Sequence, residues 1–133
     1  MYRSLEELCR QAEEITGGFW KAVEEDDCKE RQISEEESFS QLKAMYQAMR
    51  EADQNYDPAL KSRSGLVGTD GGKLQEYADH GEPVCGEFLG RVMAKAVKMG
   101  ESNACMKRIV AAPTAGACGV VPAVFLSMQE KYG

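Results

Sequence analysis

From Cys85 onward, apolar side chains recur at Cys85, Phe88, Leu89, Val92, Met93, Ala96 and Val97. Spacing of three and four residues lays them along one side of a helix. No part of the chain shows the strict apolar–polar alternation that a half-buried strand requires. The chain is therefore expected to be mainly α, a multi-helix fold with little or no sheet. Gly100 stands where the C-terminal cap of this helix belongs.

Other stretches carry the same signature. Ser4 and Glu7 have the spacing of a capping box, and Leu5, Leu8, Cys9, Ala12 and Ile15 follow as a stripe expected to be buried. Gly17 and Gly18 loosen or end that periodicity, although Phe19, Trp20 and Val23 could belong to a continuing helix, and the acidic run EEDDCKER reads as a solvated face or connection that exposes Cys28. A second capping box, Ser34 with Glu37, opens a helix whose apolar side carries Phe39, Leu42, Met45, Tyr46, Met49 and Ala52. It should end near Asn55, because the residue before Pro58 disfavours helical geometry. LQEYADHGEP predicts a short helix stopped by Gly81 and Pro83, and Val120–Tyr132 a final one with Pro122 in its first turn, where its missing N–H costs nothing. Residues 109–112 are too few for periodicity to separate strand from helix. A length of 133 residues suits a single helical domain, residues 1–133.

The surface chemistry excludes several partners. A net charge of −6 with no gathered run of Lys and Arg opposes binding to nucleic acid or anionic lipid. The mean hydropathy of −0.45 suits a well-solvated exterior. The start, MYRSLEELCRQAEE, is charged and amphipathic where a signal peptide would be basic and then apolar, and no apolar run approaches the ~20 residues of a membrane span. A cytoplasmic location is expected. The five cysteines are odd in number and form no C-x-x-C pair, so reduced thiols are expected, with neither a disulfide framework nor a zinc knuckle.

Two glycine-rich stretches break the helical texture. SRSGLVGTDGGK, residues 62–73, reads as a loop whose backbone turns tightly or approaches a ligand. It is not a phosphate loop, because Val67 takes the first glycine position and Leu74 replaces the magnesium-binding hydroxyl. Asp70 and Lys73 offer opposite charges to a small zwitterion, or else the loop is a solvated connector. His80, the single histidine, reads as a helix-ending surface residue, and no triad or histidine metal cluster is available within the chain. The second stretch, PTAGACG, places Cys118 just before a helix start, where free N–H groups and the helix dipole favour a thiolate. Cys118 is then a ligand or nucleophile, or else a small buried residue packed under a turn. Cys9, Cys85 and Cys105 fall on apolar stripes and are expected in the core. A single thiolate cannot hold an iron–sulfur cluster, so any co-ligands must lie elsewhere.

SGLVGTDGGKLQEY and ESNACMKRIVAAPTAGACGVVPAV closely resemble the α subunit of bacterial iron–sulfur-dependent L-serine dehydratases. The likeness runs over nearly the whole chain and is most specific in the second motif. It implies deamination of L-serine to pyruvate and ammonia with a [4Fe–4S] cluster and no pyridoxal phosphate. Cys118 corresponds to one of three cysteine ligands, the other two being expected in polypeptide after Gly133. The chain is accordingly expected to be an N-terminal fragment of the catalytic subunit, inactive alone. Ser64, Gly65, Gly68, Thr69 and Asp70 in one loop, and Thr114, Ala115 and Gly116 in the other, are expected substrate-binding positions. The histidine-containing motif of the family's β portion does not occur here, so the catalytic base is unknown. The implied partners are L-serine, a β subunit or β domain, the remainder of the α subunit, and a homodimeric second copy. The competing readings are a noncatalytic helical interaction domain and, behind it, a thiol enzyme using Cys118 as nucleophile.

Overall fold

A computed structural model describes residues 2–133. Six α-helices and one 3₁₀ turn account for its regular structure, with no strand among the described residues. The mainly α expectation holds. The residues group into two compact units, the first ending at Ala44 and the second comprising Met45–Gly133. No helix among the described residues is long and apolar enough to cross a membrane.

In the first unit α1 (Leu5–Glu14) packs against α2 (Phe19–Arg31). Ser4 caps α1 by accepting from the Glu7 N–H, as its spacing predicts. The stripe is only partly covered: Leu8, Ala12 and Ile15 are half-buried and Cys9 is exposed. Cys9 lies about 100° round the helix from Leu8, on the flank of the packed side. Cys28, expected in solvent, is buried instead. EEDDCKER is the end of α2, and the chain folds back over it: Gln32 adopts a left-handed conformation and the Cys28 carbonyl accepts from the Ile33 N–H at 3.1 Å.

The helix α3 (Glu35–Gln54) starts at the second capping box, with the Glu37 N–H donating to Ser34 Oγ at 3.1 Å, and stops one residue before Asn55. Its last turns belong to the second unit, together with α4 (Asp70–His80), α5 (Glu87–Ala104) and α6 (Val120–Tyr132). Here α5 is the central element, packed against both α4 and α6. Ala78, Ala94, Met99, Cys118, Ala123 and Leu126 form its buried apolar centre.

Three expectations fail in this unit. Helix α4 begins at Asp70, so residues 70–73 belong to its first turn and not to the loop. Helix α5 begins after Gly86, whose φ of +81° breaks the backbone there and leaves Cys85 outside the helix and exposed. It also runs through Gly100 to Ala104, because the next residues, Glu101 and Ser102, are buried and hold the helix on. Cys105 is half-buried at its end. His80 closes α4 at the surface, as expected.

Candidate functional site

The C-terminal half of α5 carries both glycine-rich stretches. Ala96 and Met99 face the Cys118 segment, Lys98 and Glu101 face the start of α4, and Asn103 reaches residue 115. The close approaches depend on missing side chains. A Cβ on Gly71 would stand 2.7 Å from Lys98 Cγ and 2.9 Å from its backbone N, and one on Gly119 would stand 2.5 Å from the Ala96 carbonyl oxygen. These two glycines let backbone pack on backbone.

At the start of α4, Thr69 has a φ of +78° and its side chain caps nothing. The cap comes from α5. Glu101, buried to 5% exposure, accepts from the Asp70 N–H at 2.7 Å and the Gly71 N–H at 3.1 Å. Tyr56 donates its hydroxyl to the same carboxylate at 2.6 Å and accepts from the Gly72 N–H at 3.0 Å. The Lys73 N–H donates to the Thr69 carbonyl at 3.4 Å. The Asp70, Gly71 and Gly72 amides, which no partner inside the helix can satisfy, are thus all engaged, and Lys73 opens the helix's own ladder. Burial, with the hydrogen bond to Glu101 added, pushes the Tyr56 hydroxyl up to about 12, so it remains a donor.

The loop before α4 is closed on itself. Ser62 N–H donates to the Val67 carbonyl at 2.8 Å, Gly65 N–H to the Ser62 carbonyl at 2.8 Å, and Leu66 N–H to Ser64 Oγ at 3.4 Å. Gly68, with φ +130°, touches the Leu60 carbonyl so closely that a Cβ would stand 2.3 Å from it. Asp70 and Lys73 pair with each other at 2.8 Å on the surface, which raises the lysine pKa.

The second stretch is less occupied. Thr114 Oγ1 accepts from the Ala117 N–H at 3.3 Å, and Asn103 Nδ2 donates to the Ala115 carbonyl at 3.1 Å. No side chain caps α6 at Gly119. Thr114, Ala115 and Gly116 are exposed, while Cys118 is 2% exposed with its thiol 4.0 Å from the Met99 carbonyl. Burial pushes the Cys118 thiol up, which reverses the thiolate-favouring shift expected from the helix start. The helix dipole acts along α6, but the sulfur sits under the turn, removed from water. Among the described residues no group of three His, Cys, Asp or Glu could hold a metal ion.

Behind Glu101 lies a buried ionic cluster that no sequence motif marked. Asp53 of α3 accepts from Lys95 at 2.9 Å and lies 2.9 Å from Lys98 Nζ, and Lys95 also pairs with Glu130 of α6 at 2.9 Å. Burial alone would raise the Asp53 pKa, yet the hydrogen bonds and charges of Lys95 and Lys98 outweigh it and hold the carboxyl below its ordinary value. Lys95 shows the same balance with the opposite sign: burial would lower it, and Glu130 and Asp53 raise it. The helical spacing of Lys95, Lys98 and Glu101 with Ala94 and Met99 was the available signal, since residues three and four apart share a face.

The family profile described as Serine dehydratase alpha chain matches residues 16–133. The L-serine dehydratase, alpha chain of Peptoniphilus asaccharolyticus is 35% identical over 111 residues, covering 83% of this chain and 38% of that relative. The Probable L-serine dehydratase, alpha chain of Bacillus subtilis (strain 168) is 37% identical over 98 residues, covering 74% of this chain and 33% of the relative. No solved structure matches at a significant level. The chain spans about a third of the length of these curated relatives. With nearly all of its residues under that profile, the chain belongs to the serine dehydratase alpha-chain family.

Proposed function

We propose that this chain is the N-terminal part of the α subunit of an L-serine dehydratase, a lyase that converts L-serine to pyruvate and ammonia. The observation that carries the reading is the 35–37% identity to alpha chains of that name. In the reaction a base removes the proton from Cα while hydroxide leaves Cβ; the resulting aminoacrylate tautomerises to an imine, which water hydrolyses to pyruvate and ammonia. The residues proposed to line the substrate are Ser64, Gly65, Gly68, Thr69 and Asp70 with Thr114, Ala115 and Gly116. Of the two stretches, residues 114–119 are the better donors to the serine carboxylate, because α6 lacks a side-chain cap.

A [4Fe–4S] cluster held by three cysteine thiolates instead of the usual four would leave one iron open, and that iron would supply a Lewis acid for a hydroxyl group. The described residues do not fit a complete cluster: they offer one buried thiol at this turn and no three-ligand group. Cys118 is proposed as one ligand, with the others in the remainder of the α subunit. The proposed partners are that remainder, a β subunit or β domain, a homodimeric second copy, and L-serine; the proposed location is the cytoplasm, and this chain alone is inactive.

Pyruvate release from L-serine, followed in the complete enzyme and in Cys118→Ala, tests the reading. Loss of both turnover and bound iron in the variant is expected; an undiminished iron content removes Cys118 from the metal site. The interaction-domain reading has its own support, since Val120, Val124, Phe125 and Met128 expose apolar surface along α6. Concentration-dependent dimerisation of this chain without serine binding would favour it.

A further inference from the structure

The start of α4 looks, in sequence, like an anion site, with glycines, a helix N-terminus and a lysine close by. Its occupant is already present in the chain. The two oxygens of Glu101 take the Asp70 and Gly71 amides, the Tyr56 hydroxyl closes the third side, and Tyr56 in turn takes the Gly72 amide. Glu101 comes from another helix, 31 residues away from Asp70, and is buried. A carboxylate held by two amides and a phenol in this way receives charge-assisted hydrogen bonds, stronger than neutral ones. The side chain of Gly71 is absent where Lys98 and Glu101 approach, so the glycine serves this internal contact.

We infer that Glu101 is a positioning residue: its carboxylate fills the anion site at the start of α4, fixes that helix start where the 62–69 loop enters it, and keeps a substrate carboxylate out of that site. The part concerning substrate rests on the dehydratase reading; the occupation of the site does not. Tyr56 is the second member of the clamp. Removing the Glu101 side chain opens a pocket of three donors that a small free carboxylate fits.

The test is chemical rescue in Glu101→Ala, using the full protein that carries this chain and sodium formate as the probe. Formate is expected to return the Asp70 and Gly71 amide resonances of the variant toward their wild-type positions, while sodium chloride at equal ionic strength does not. Turnover of L-serine is expected to fall by on the order of 10²-fold in the variant, as for a misplaced positioning loop, and to recover severalfold with formate. The wild type, its site already filled by Glu101, should respond to neither salt. Indifference of the variant's amides to formate, or a wild-type response to formate equal to the variant's, overturns the inference. If wild-type turnover is absent, the dehydratase reading fails, and the amide measurement still decides the clamp. Should Glu101→Ala not fold, Tyr56→Phe replaces it: the Gly72 amide, which loses its acceptor, should move most and Asp70, held by the other Glu101 oxygen, least, and equal movement of all three overturns the inference.

Discussion

The starts of α4 and α6 have the same sequence texture and opposite occupancy. Each follows a glycine-rich stretch, each packs through one glycine onto α5, and each presents first-turn amides that need partners from outside the helix. At α4 those partners are Glu101 and Tyr56. At α6 no side chain takes that role. Glycine content therefore reports close backbone packing at both ends, and only the surrounding acceptors distinguish a closed helix start from an uncapped one.

The largest effect should come from the α6 side. Cys118→Ala in the complete enzyme is expected to lower L-serine turnover by on the order of 100-fold or more, while the urea midpoint shows a loss near ~1 kcal/mol for a small buried group. A stability loss far above that with turnover retained would make Cys118 a packing residue only.

Next comes the clamp. Glu101→Ala removes the acceptor of two amides and one buried hydroxyl, and should destabilise by roughly 3 kcal/mol in urea unfolding. An effect within ~0.5 kcal/mol would mean water replaces the carboxylate without penalty, and the contrast between the two helix starts would lapse.

The glycines sharpen the comparison further. Gly71→Ala and Gly119→Ala each force a Cβ into α5 and should cost about 1–3 kcal/mol. Gly100→Ala is the control, since it lies inside α5 with nothing within 4 Å of its Cβ position, and should stabilise by about 0.5–1 kcal/mol.

A smaller, pH-dependent effect belongs to the ionic cluster. The Asp53 carboxyl is held below its ordinary value in the folded protein, so its contribution is present above the unfolded value of ~3.9 and is lost as pH falls through the lowered one. The urea midpoint of the wild type should drop across that acid range, and that of Asp53→Asn should drop less. Cys118 runs the other way: its raised pKa delays thiolate formation, so native-state iodoacetamide labelling should rise at higher pH than for a free thiol.

Helix positions were legible in the sequence because capping boxes and apolar spacing are local. Ser4, Ser34, Pro58 and Pro122 each fixed an end or a first turn. The burial of α5 was not legible, because it depends on what surrounds the helix. Its apolar stripe leaves Leu89 and Met93 47% and 49% exposed, while Lys95 and Glu101 are each 5% exposed. Charged residues mark a solvated face unless partners from other helices neutralise them, and Asp53, Tyr56 and Glu130 lie far along the chain from their partners. Cys28 and Cys9 exchanged their expected environments for a similar reason: a left-handed turn at Gln32 buries one, and a partly covered helix leaves the other outside. In the candidate site, the loop residues were found from their glycines, whereas Glu101 stood in the second motif without any local sign of its role.

Amide hydrogen exchange at the two helix starts is the most direct test of the contrast. Asp70 and Gly71 should exchange at rates close to those of buried α5 amides, with Val120 exchanging much faster. Equal exchange at the two starts, or Asp70 and Gly71 exchanging as fast as Val120, would contradict the account.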